Sequence, residues 1–399
     1  MEKLTVSPET ARMLQLGHPW VIADATTRRW PKSLQPGQLA QLLDPQGQPL
    51  AAALLDPTDR VVARIVDRQP LSQLSAEWVA RRLQRALALR LTQLDLDGTD
   101  AWRLVNAEGD GFPGLTVDRY GDFLMLQAFT RAWDSRIDLL ANELETLLRP
   151  QGIYLKYRPQ QTRKLEGKGG LPQNKLLRGR ALGCKLNVLE NGLTFRVDLD
   201  QGLHTGLFMD QRDNRRDLMA RCRGKRVLNL FSFTGAFSVA AAAAEAREVT
   251  SVDASAGYLA WAEENFSANR LNPKQHRFMT GDCFKVLEEL AADGKRYDIV
   301  LMDPPSFSTT RKSRFTTRGG TSELVTTALS LLVDDGLLIT SSNHQKVDVA
   351  DYLKELRRGA LAAGVDLQVL QLRGQGGDFP YTVGFPEGRY LKYVVSRKC

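Results

Sequence analysis

The chain has 399 residues, 43% of them hydrophobic, 25% charged and 8% aromatic, a composition that excludes a disordered or membrane-embedded protein. Lysine and arginine number 54 against 46 aspartates and glutamates, a formal net charge of +8 that suggests a polyanionic partner without requiring one. At roughly 100–200 residues per domain the length makes two or three domains, and no run reaches the roughly 20 apolar residues of a membrane span.

Residues 1 to about 70 alternate short β-rich runs with turn signals. "VIADA", "QLAQLLD", "PLAAALLD" and "RVVARIVD" are separated by Pro31, Pro36-Gly37, Pro45-Gln46-Gly47 and Asp56-Pro57. Such spacing indicates a small barrel or sandwich. From Ser75 to Leu94 the pattern turns helical, with apolar Trp78, Val79, Leu83, Ala86 and Leu87 among arginines. Gly109, Gly111, Pro113 and Gly114 then make tight turns between two strands, and a second helix is predicted near Trp133 to Leu148. Leu155 to Arg180 is the most basic stretch, with Lys156, Arg158, Arg163, Lys164, Lys168, Lys175, Arg178 and Arg180 around a glycine-rich run from Gly167 to Pro172. It reads as a mobile loop rather than an element.

From about Lys185 the texture becomes strict strand–helix alternation. "RVLNLF", "EVTSVD", "HRFMTGD", "YDIVLMD" and "LLITSS" are short apolar strands, with helices predicted at Gly257 to Asn269 and Glu323 to Val333. The pattern builds a parallel, doubly wound α/β sheet, closed by "DLQVLQL" and "RYLKYVVSR", the last antiparallel. The domains expected are 1–70, 71–184 and 185–399. Cys184, Cys222, Cys283 and Cys399 form no C-x-x-C pair. That excludes a disulfide scaffold or zinc ribbon and suits a reducing cytoplasm. The first ten residues hold no apolar stretch like a signal peptide.

Ligands of doubly wound sheets sit at the carboxyl ends of the strands. Here those ends carry "NLFSFTGAF", Asp253, Asp282 and Asp303-Pro304-Pro305. Asp253 is placed to accept hydrogen bonds from a ribose diol, and Asp282 to take the exocyclic amine of an adenine. Each could equally cap the next helix, but three in register favour a ligand. A dinucleotide needs G-x-G-x-x-G, and this turn offers only Gly235 in a phenylalanine-rich setting. A nucleoside without phosphates fits better, S-adenosylmethionine being the common one.

"LNLFSFTGAF", "VDAS", "GDCF", "MDPPSF" and the upstream "HTGLFMDQR" resemble the class I S-adenosylmethionine-dependent methyltransferases of bacterial 23S ribosomal RNA. The resemblance spans essentially the whole chain. It implies an N-terminal RNA-binding PUA β-barrel ("LGHPWVIADA" onward), a central α+β linking domain and a Rossmann-like catalytic domain. The architecture is similar to that of the enzymes making 5-methylcytosine, while "GLFMDQR", "YLAWAEENF" and "DPPSFS" are near-echoes of the catalytic half that makes 7-methylguanine. By this resemblance Thr205, Gly206, Asp210 and Arg212 line the methionine end of the cofactor, with Phe231, Ser232 and Gly235 beneath it. Asp253 holds the ribose and Asp282 the adenine. Asp303, Pro304 and Pro305 face the target base, on which Phe307 stacks.

One position departs from that pattern. Methylation at cytosine C5 needs a thiolate that adds to C6. The family's cysteine position after the fifth strand is held here by Asn343, in Thr340-Ser341-Ser342-Asn343-His344. Ser342-Asn343 matches the 7-methylguanine half instead. A ring nitrogen attacks a sulfonium methyl without covalent activation, so a guanine nitrogen is the favoured target, with Asn343 donating to the guanine carbonyl. His344 beside it reads as a cap or as a catalytic group. Two alternatives stand, a cytosine-5 methyltransferase as the architecture suggests and an idle RNA-binding assembly factor. The basic loop, with Lys156, Arg163 and Lys164, and the segment after the Pro-Pro turn, with Arg311, Lys312, Arg314 and Arg318, are expected to meet RNA phosphates. Whether the substrate is naked 23S RNA or an assembly intermediate, and whether the protein is a homodimer, stay open at this point.

Overall fold

The computed structural model describes residues 1–158, 174–200, 202, 204–305 and 320–399, and the backbone alone for 307–309 and 314–316. The described chain forms two bodies. The first comprises Met1–Val188, Asp198–Thr205 and Gly377–Gly388; the second comprises Leu189–Val197, Gly206–Gly376 and Arg389–Cys399. No helix among the described residues is long and apolar enough to cross a membrane.

The first body opens with β1 (Glu2–Thr5), α1 (Pro8–Gln15), β2 (Trp20–Ile22), β3 (Leu39–Leu43), β4 (Pro49–Leu55) and β5 (Val61–Asp67), in a sheet of order β1-β3-β4-β5-β2. β4 is buried on both faces, which is why its sequence is continuously apolar. Ala51, Ala53 and Leu55 join Leu4, Leu14 and Leu42 in one core, while Ala52 and Leu54 face a second core. β1 and α1 lie outside the expected pattern. Their signal is Ser7-Pro8-Glu9, where the Ser7 hydroxyl accepts from the Thr10 N–H at 3.3 Å.

The second core is built from α2 (Ala76–Gln93), α3 (Ile137–Leu148) and a sheet of β6 (Ala101–Asn106), β7 (Leu115–Tyr120), β8 (Phe123–Ala128), β9 (Gly152–Tyr157) and β10 (Lys175–Gly179). Trp78, Phe112 and Trp133 fill it, the Trp133 indole donating to the Pro113 carbonyl at 2.8 Å. The basic stretch 155–180, expected as loop throughout, is strand at both ends. β9 and β10 pair antiparallel, with Lys175 opposite Leu155.

β11 (Leu186–Glu190) and β12 (Leu193–Val197) form a hairpin where the chain passes into the second body. There follow α4 (Arg212–Met219), β13 (Arg226–Leu230), α5 (Ala236–Ala243), β14 (Glu248–Asp253), α6 (Ala256–Ala268), β15 (Arg277–Thr280), α7 (Cys283–Ala292) and β16 (Tyr297–Met302). The chain continues through β17 (Phe307–Thr309), β18 (Arg314–Thr316), α8 (Gly320–Leu331), β19 (Leu332–Ser342), α9 (Val349–Ala362), β20 (Leu367–Arg373) and β21 (Lys392–Lys398). The seven-stranded sheet runs β15-β14-β13-β16-β19-β21-β20. The first five strands are parallel, and β21 lies antiparallel to both its neighbours, as the sequence predicted. β12 finds backbone partners on a helix. The side-chain oxygens of Asn269, which caps the carboxyl end of α6, and of Asn265 within it accept from the Thr194 and Arg196 N–H groups at 2.8 and 2.9 Å.

Candidate functional site at the carboxyl edge of the sheet

Strand register alone brings the motifs together. Leu230 pairs with Val252 on one side and Met302 on the other, Met302 with Thr340, and Asp253 with Thr280. The residues just past these pairs, Phe231, Asp303 and Ser341, therefore stand beside Asp253 along one edge, with Asp282 two residues beyond its strand partner.

The turn after β13 is strained. Phe231 and Phe233 are left-handed at φ +58° and +51°, and Gly235 follows at +76°. Two non-glycine residues in that region within three positions is unusual, and such strain concentrates at ligand sites. Asp253 braces the turn, its Oδ2 accepting from the Phe233 N–H and its Oδ1 from the Ser255 N–H, both at 2.9 Å. Gly235 is obligatory on two counts, since beyond its φ an added Cβ would lie 2.6 Å from Ala262 Cβ. The Ser232 hydroxyl is buried with no hydrogen-bond partner among the described residues. Asp282 caps α7, accepting from the Phe284 N–H at 3.1 Å.

Asp303 is the perturbed carboxylate. Burial pushes it up to about 6, helped by the nearby Asp210 charge and opposed by hydrogen bonds from Ser341 and Gln211 and by the Arg215 charge. Gln211 Nε2 donates to Asp303 Oδ2 at 3.0 Å and to Ser341 Oγ at 2.8 Å, while its Oε1 accepts from Asn214 at 2.6 Å. Asp210 accepts from the Tyr390 hydroxyl at 2.7 Å. Pro304 is buried and Pro305 exposed.

The second body thus gathers Asp210, Phe231, Ser232, Gly235, Asp253, Asp282, Asp303, Pro304 and Pro305 along or next to this edge. Arg212 is buried at the start of α4. Gly206 is pressed against Trp261, where a Cβ would come within 2.5 Å of the ring, and its carbonyl accepts from Thr234 Oγ1 at 2.6 Å. Thr205 falls in the first body, its hydroxyl 2.9 Å from that of Tyr120. Asn343, exposed, is the first residue past β19. His344 is held below its ordinary value by burial and by the Lys392 charge, and its Nδ1 accepts from the Lys346 N–H at 3.2 Å.

Lys156 is a correction. It lies in β9, 4% exposed, with its ammonium donating to the Gly202 carbonyl at 2.6 Å, so it presents no charge to a phosphate. Arg163, Lys164, Lys168, Arg311, Lys312 and Arg318 lie outside the described residues, as do the side chains of Phe307 and Arg314. Sequence reasoning missed Gln211, Tyr390 and Lys392. Gln211 had a signal, standing between two named residues of "HTGLFMDQR"; the other two had none.

The edge fits a phosphate-free, cationic nucleoside. Four carboxylates converge there, the turn is phenylalanine-rich rather than a glycine nest for pyrophosphate, and an orphaned hydroxyl sits within it. Asp253 and Asp282 suit a ribose and an adenine, and Asp210 and Asp303 suit a positively charged amino acid end.

Residues 172–371 match the family described as S-adenosylmethionine-dependent methyltransferase, and residues 4–68 match a PUA-like domain. The chain is 33% identical over 396 residues to the ribosomal RNA large subunit methyltransferase I of Yersinia pseudotuberculosis, covering 99% of each chain. It is similar along its full length to a crystal structure of a methyltransferase complexed with SAH, with 28% identity and a TM-score of 0.88. A SAM-dependent methyltransferase from Streptococcus mutans, also 28% identical and matched over 100% of both chains, gives a TM-score of 0.86.

Proposed function

The chain belongs to the S-adenosylmethionine-dependent methyltransferases and carries a PUA-like domain, and from that premise we propose that it methylates a ring nitrogen of guanine, N7 foremost, in 23S ribosomal RNA. The cofactor supplies an electrophilic methyl group on a sulfonium. In this reading Asp253 holds the ribose and Asp282 the adenine amine, and Asp210 and Asp303 balance the charge of the methionine end. Phe231, Ser232 and Gly235 form the floor and Arg212 braces it from α4. Asp303, Pro304, Pro305 and Asn343 face the target base.

The observation that carries the target atom is the residue after β19. Asn343 cannot add to a pyrimidine, and no thiolate of the second body replaces it. Burial pushes the Cys222 and Cys283 thiols up to about 12, so both stay protonated at neutral pH. Cys399 follows β21, which runs from Lys392 opposite Ser342 to Arg397 opposite Leu337, and so lies away from the carboxyl edge of β19. A guanine nitrogen needs only orientation, which the Asn343 amide supplies by donating to the guanine carbonyl.

A ribosomal RNA substrate is supported by the name of the Yersinia relative, by the PUA-like domain and by the +8 charge. Arg163, Lys164, Arg311, Lys312 and Arg314 would neutralise phosphates and Phe307 would stack on the base. The reaction would take place in the cytoplasm. The test is nucleoside mass spectrometry of large-subunit ribosomal RNA treated with the purified chain and methyl-labelled cofactor. Labelled 7-methylguanosine is expected, lost in Asn343→Ala. Labelled 5-methylcytidine from the unaltered protein would overturn the target atom, and cofactor binding without any transfer would make the chain an RNA-binding assembly factor.

A further inference from the structure

A buried cation ties down the loop that carries Asn343. Lys392, 3% exposed at the start of β21, pairs in register with Ser342, the last residue of β19. Its ammonium donates to the carbonyls of His344 at 2.6 Å, Val347 at 3.0 Å and Tyr390 at 3.0 Å. Two of those acceptors are in the 343–347 turn and the third is in the lead-in to β21. Three carbonyls satisfy all three donors of an ammonium, a geometry that fixes the turn's backbone rather than its side chains. Two residues earlier, the Tyr390 hydroxyl bonds Asp210 at 2.7 Å. One three-residue segment thereby touches both the acidic edge and the loop that follows β19.

We propose that Lys392 is a positioning residue for methyl transfer, pinning the 343–347 turn so that Asn343 is presented to the target base while Tyr390 registers the same segment against Asp210. The proposal rests on the reading of Asn343 given above. A buried lysine is a costly way to close a turn, and a flexible loop would meet the purely structural need. What the ammonium adds is a fixed backbone at the residue that must meet a base within a few tenths of an ångström.

The groups facing the ammonium set its pH behaviour. Burial holds it down to about 8, the Arg389 charge pushes the same way, and Asp348 at the start of α9 opposes. His344 of the turn feels the ammonium charge and that of Lys346. Above that pH the third hydrogen bond is lost and the turn loosens.

The test uses the full chain with large-subunit ribosomal RNA, measuring cofactor Kd by calorimetry and kcat by labelled methyl transfer across pH 6.5–9.5. Lys392→Met is expected to lower kcat about 10-fold or more while cofactor Kd stays within about 2-fold. Lys392→Arg, which cannot deprotonate, should recover most of kcat and lose the alkaline fall that the unaltered protein shows. A Lys392→Met enzyme within about 2-fold of normal kcat, or one whose cofactor Kd rises in step with its loss of kcat, would overturn the proposal. If Lys392→Met does not fold, the Lys392→Arg profile decides, and an alkaline fall retained there overturns it. The base labelled by the unaltered protein is read separately. A cytidine product would sink the target reading and leave the kcat-to-Kd split as the test of Lys392, whereas no transfer at all would remove both.

Discussion

The Gln211 amide stands 3.0 Å from one oxygen of Asp303 and 2.8 Å from the Ser341 hydroxyl, tying the segment before α4 to the ends of β16 and β19. Asp303 shares its surroundings with the Asp210 charge, and this neutral donor, together with the Ser341 hydroxyl and the Arg215 charge, eases the cost of holding two carboxylates close. Replacing Gln211 by Leu should push Asp303 further up and weaken S-adenosylmethionine binding about 10- to 100-fold, the worth of one hydrogen bond to a charged group. Calorimetric titration at pH 7 checks this. Unchanged affinity would remove Gln211 from the cofactor site.

The raised value of Asp303 has a signed consequence for stability. Between its ordinary 3.8 and about 6 the folded chain holds a proton that the unfolded chain has released, so this group's contribution falls as pH rises through that window and stays unfavourable above it. Asp303→Asn should therefore stabilise the fold at pH 7 by up to about 3 kcal/mol and leave it nearly unchanged near pH 3.8. The same variant should bind cofactor poorly, because the ligand needs the anion. Binding by the unaltered protein should weaken below about pH 6 and release protons near that pH, seen as buffer-dependent heats of binding. A destabilised Asp303→Asn protein would mean that its hydrogen bonds outweigh its desolvation.

The carboxyl-edge aspartates were legible because each ends a short apolar run, and parallel register converts successive run ends into one row. The turn at 231–235 was legible through Gly235, while its left-handed phenylalanines were not, since nothing local marks Phe231 or Phe233 for positive φ. Lys156 was misread because charge density along a sequence says nothing of strand alternation, which turned this lysine inward toward the Gly202 carbonyl. Tyr390 and Lys392 act on residues 180 and 48 positions away, distances at which only the closed sheet makes neighbours of them. Asn343 was legible as a departure from a pattern.

Arg215 and Glu190 form a bidentate pair at 2.6 and 2.7 Å with both side chains almost wholly buried, joining α4 to β11. Removing one partner strands the other, so Arg215→Met or Glu190→Ala alone should cost about 3–5 kcal/mol. The double change Arg215→Met with Glu190→Leu should recover most of that loss. Thermal melts of the three variants form the cycle. Equal losses in singles and double would show that the pair is valued for shape and not for charge balance.

Gly235 allows a cleaner separation of backbone strain from crowding. Gly235→Ala meets both a φ of +76° and a Cβ contact of 2.6 Å with Ala262, whereas exposed Gly224, at φ +71°, has nothing within 4 Å of an added Cβ. Gly224→Ala should thus cost about 1 kcal/mol from conformation alone. Gly235→Ala should cost about 1–3 kcal/mol more, because α6 cannot retreat without moving the strained turn. Only the second should weaken cofactor binding, since only it disturbs the turn that Asp253 braces. Melting temperatures and cofactor titrations of the two variants side by side test this. If both bind the cofactor as the unaltered protein does, the left-handed turn is a packing solution for α5 and α6 and has no part in shaping the site.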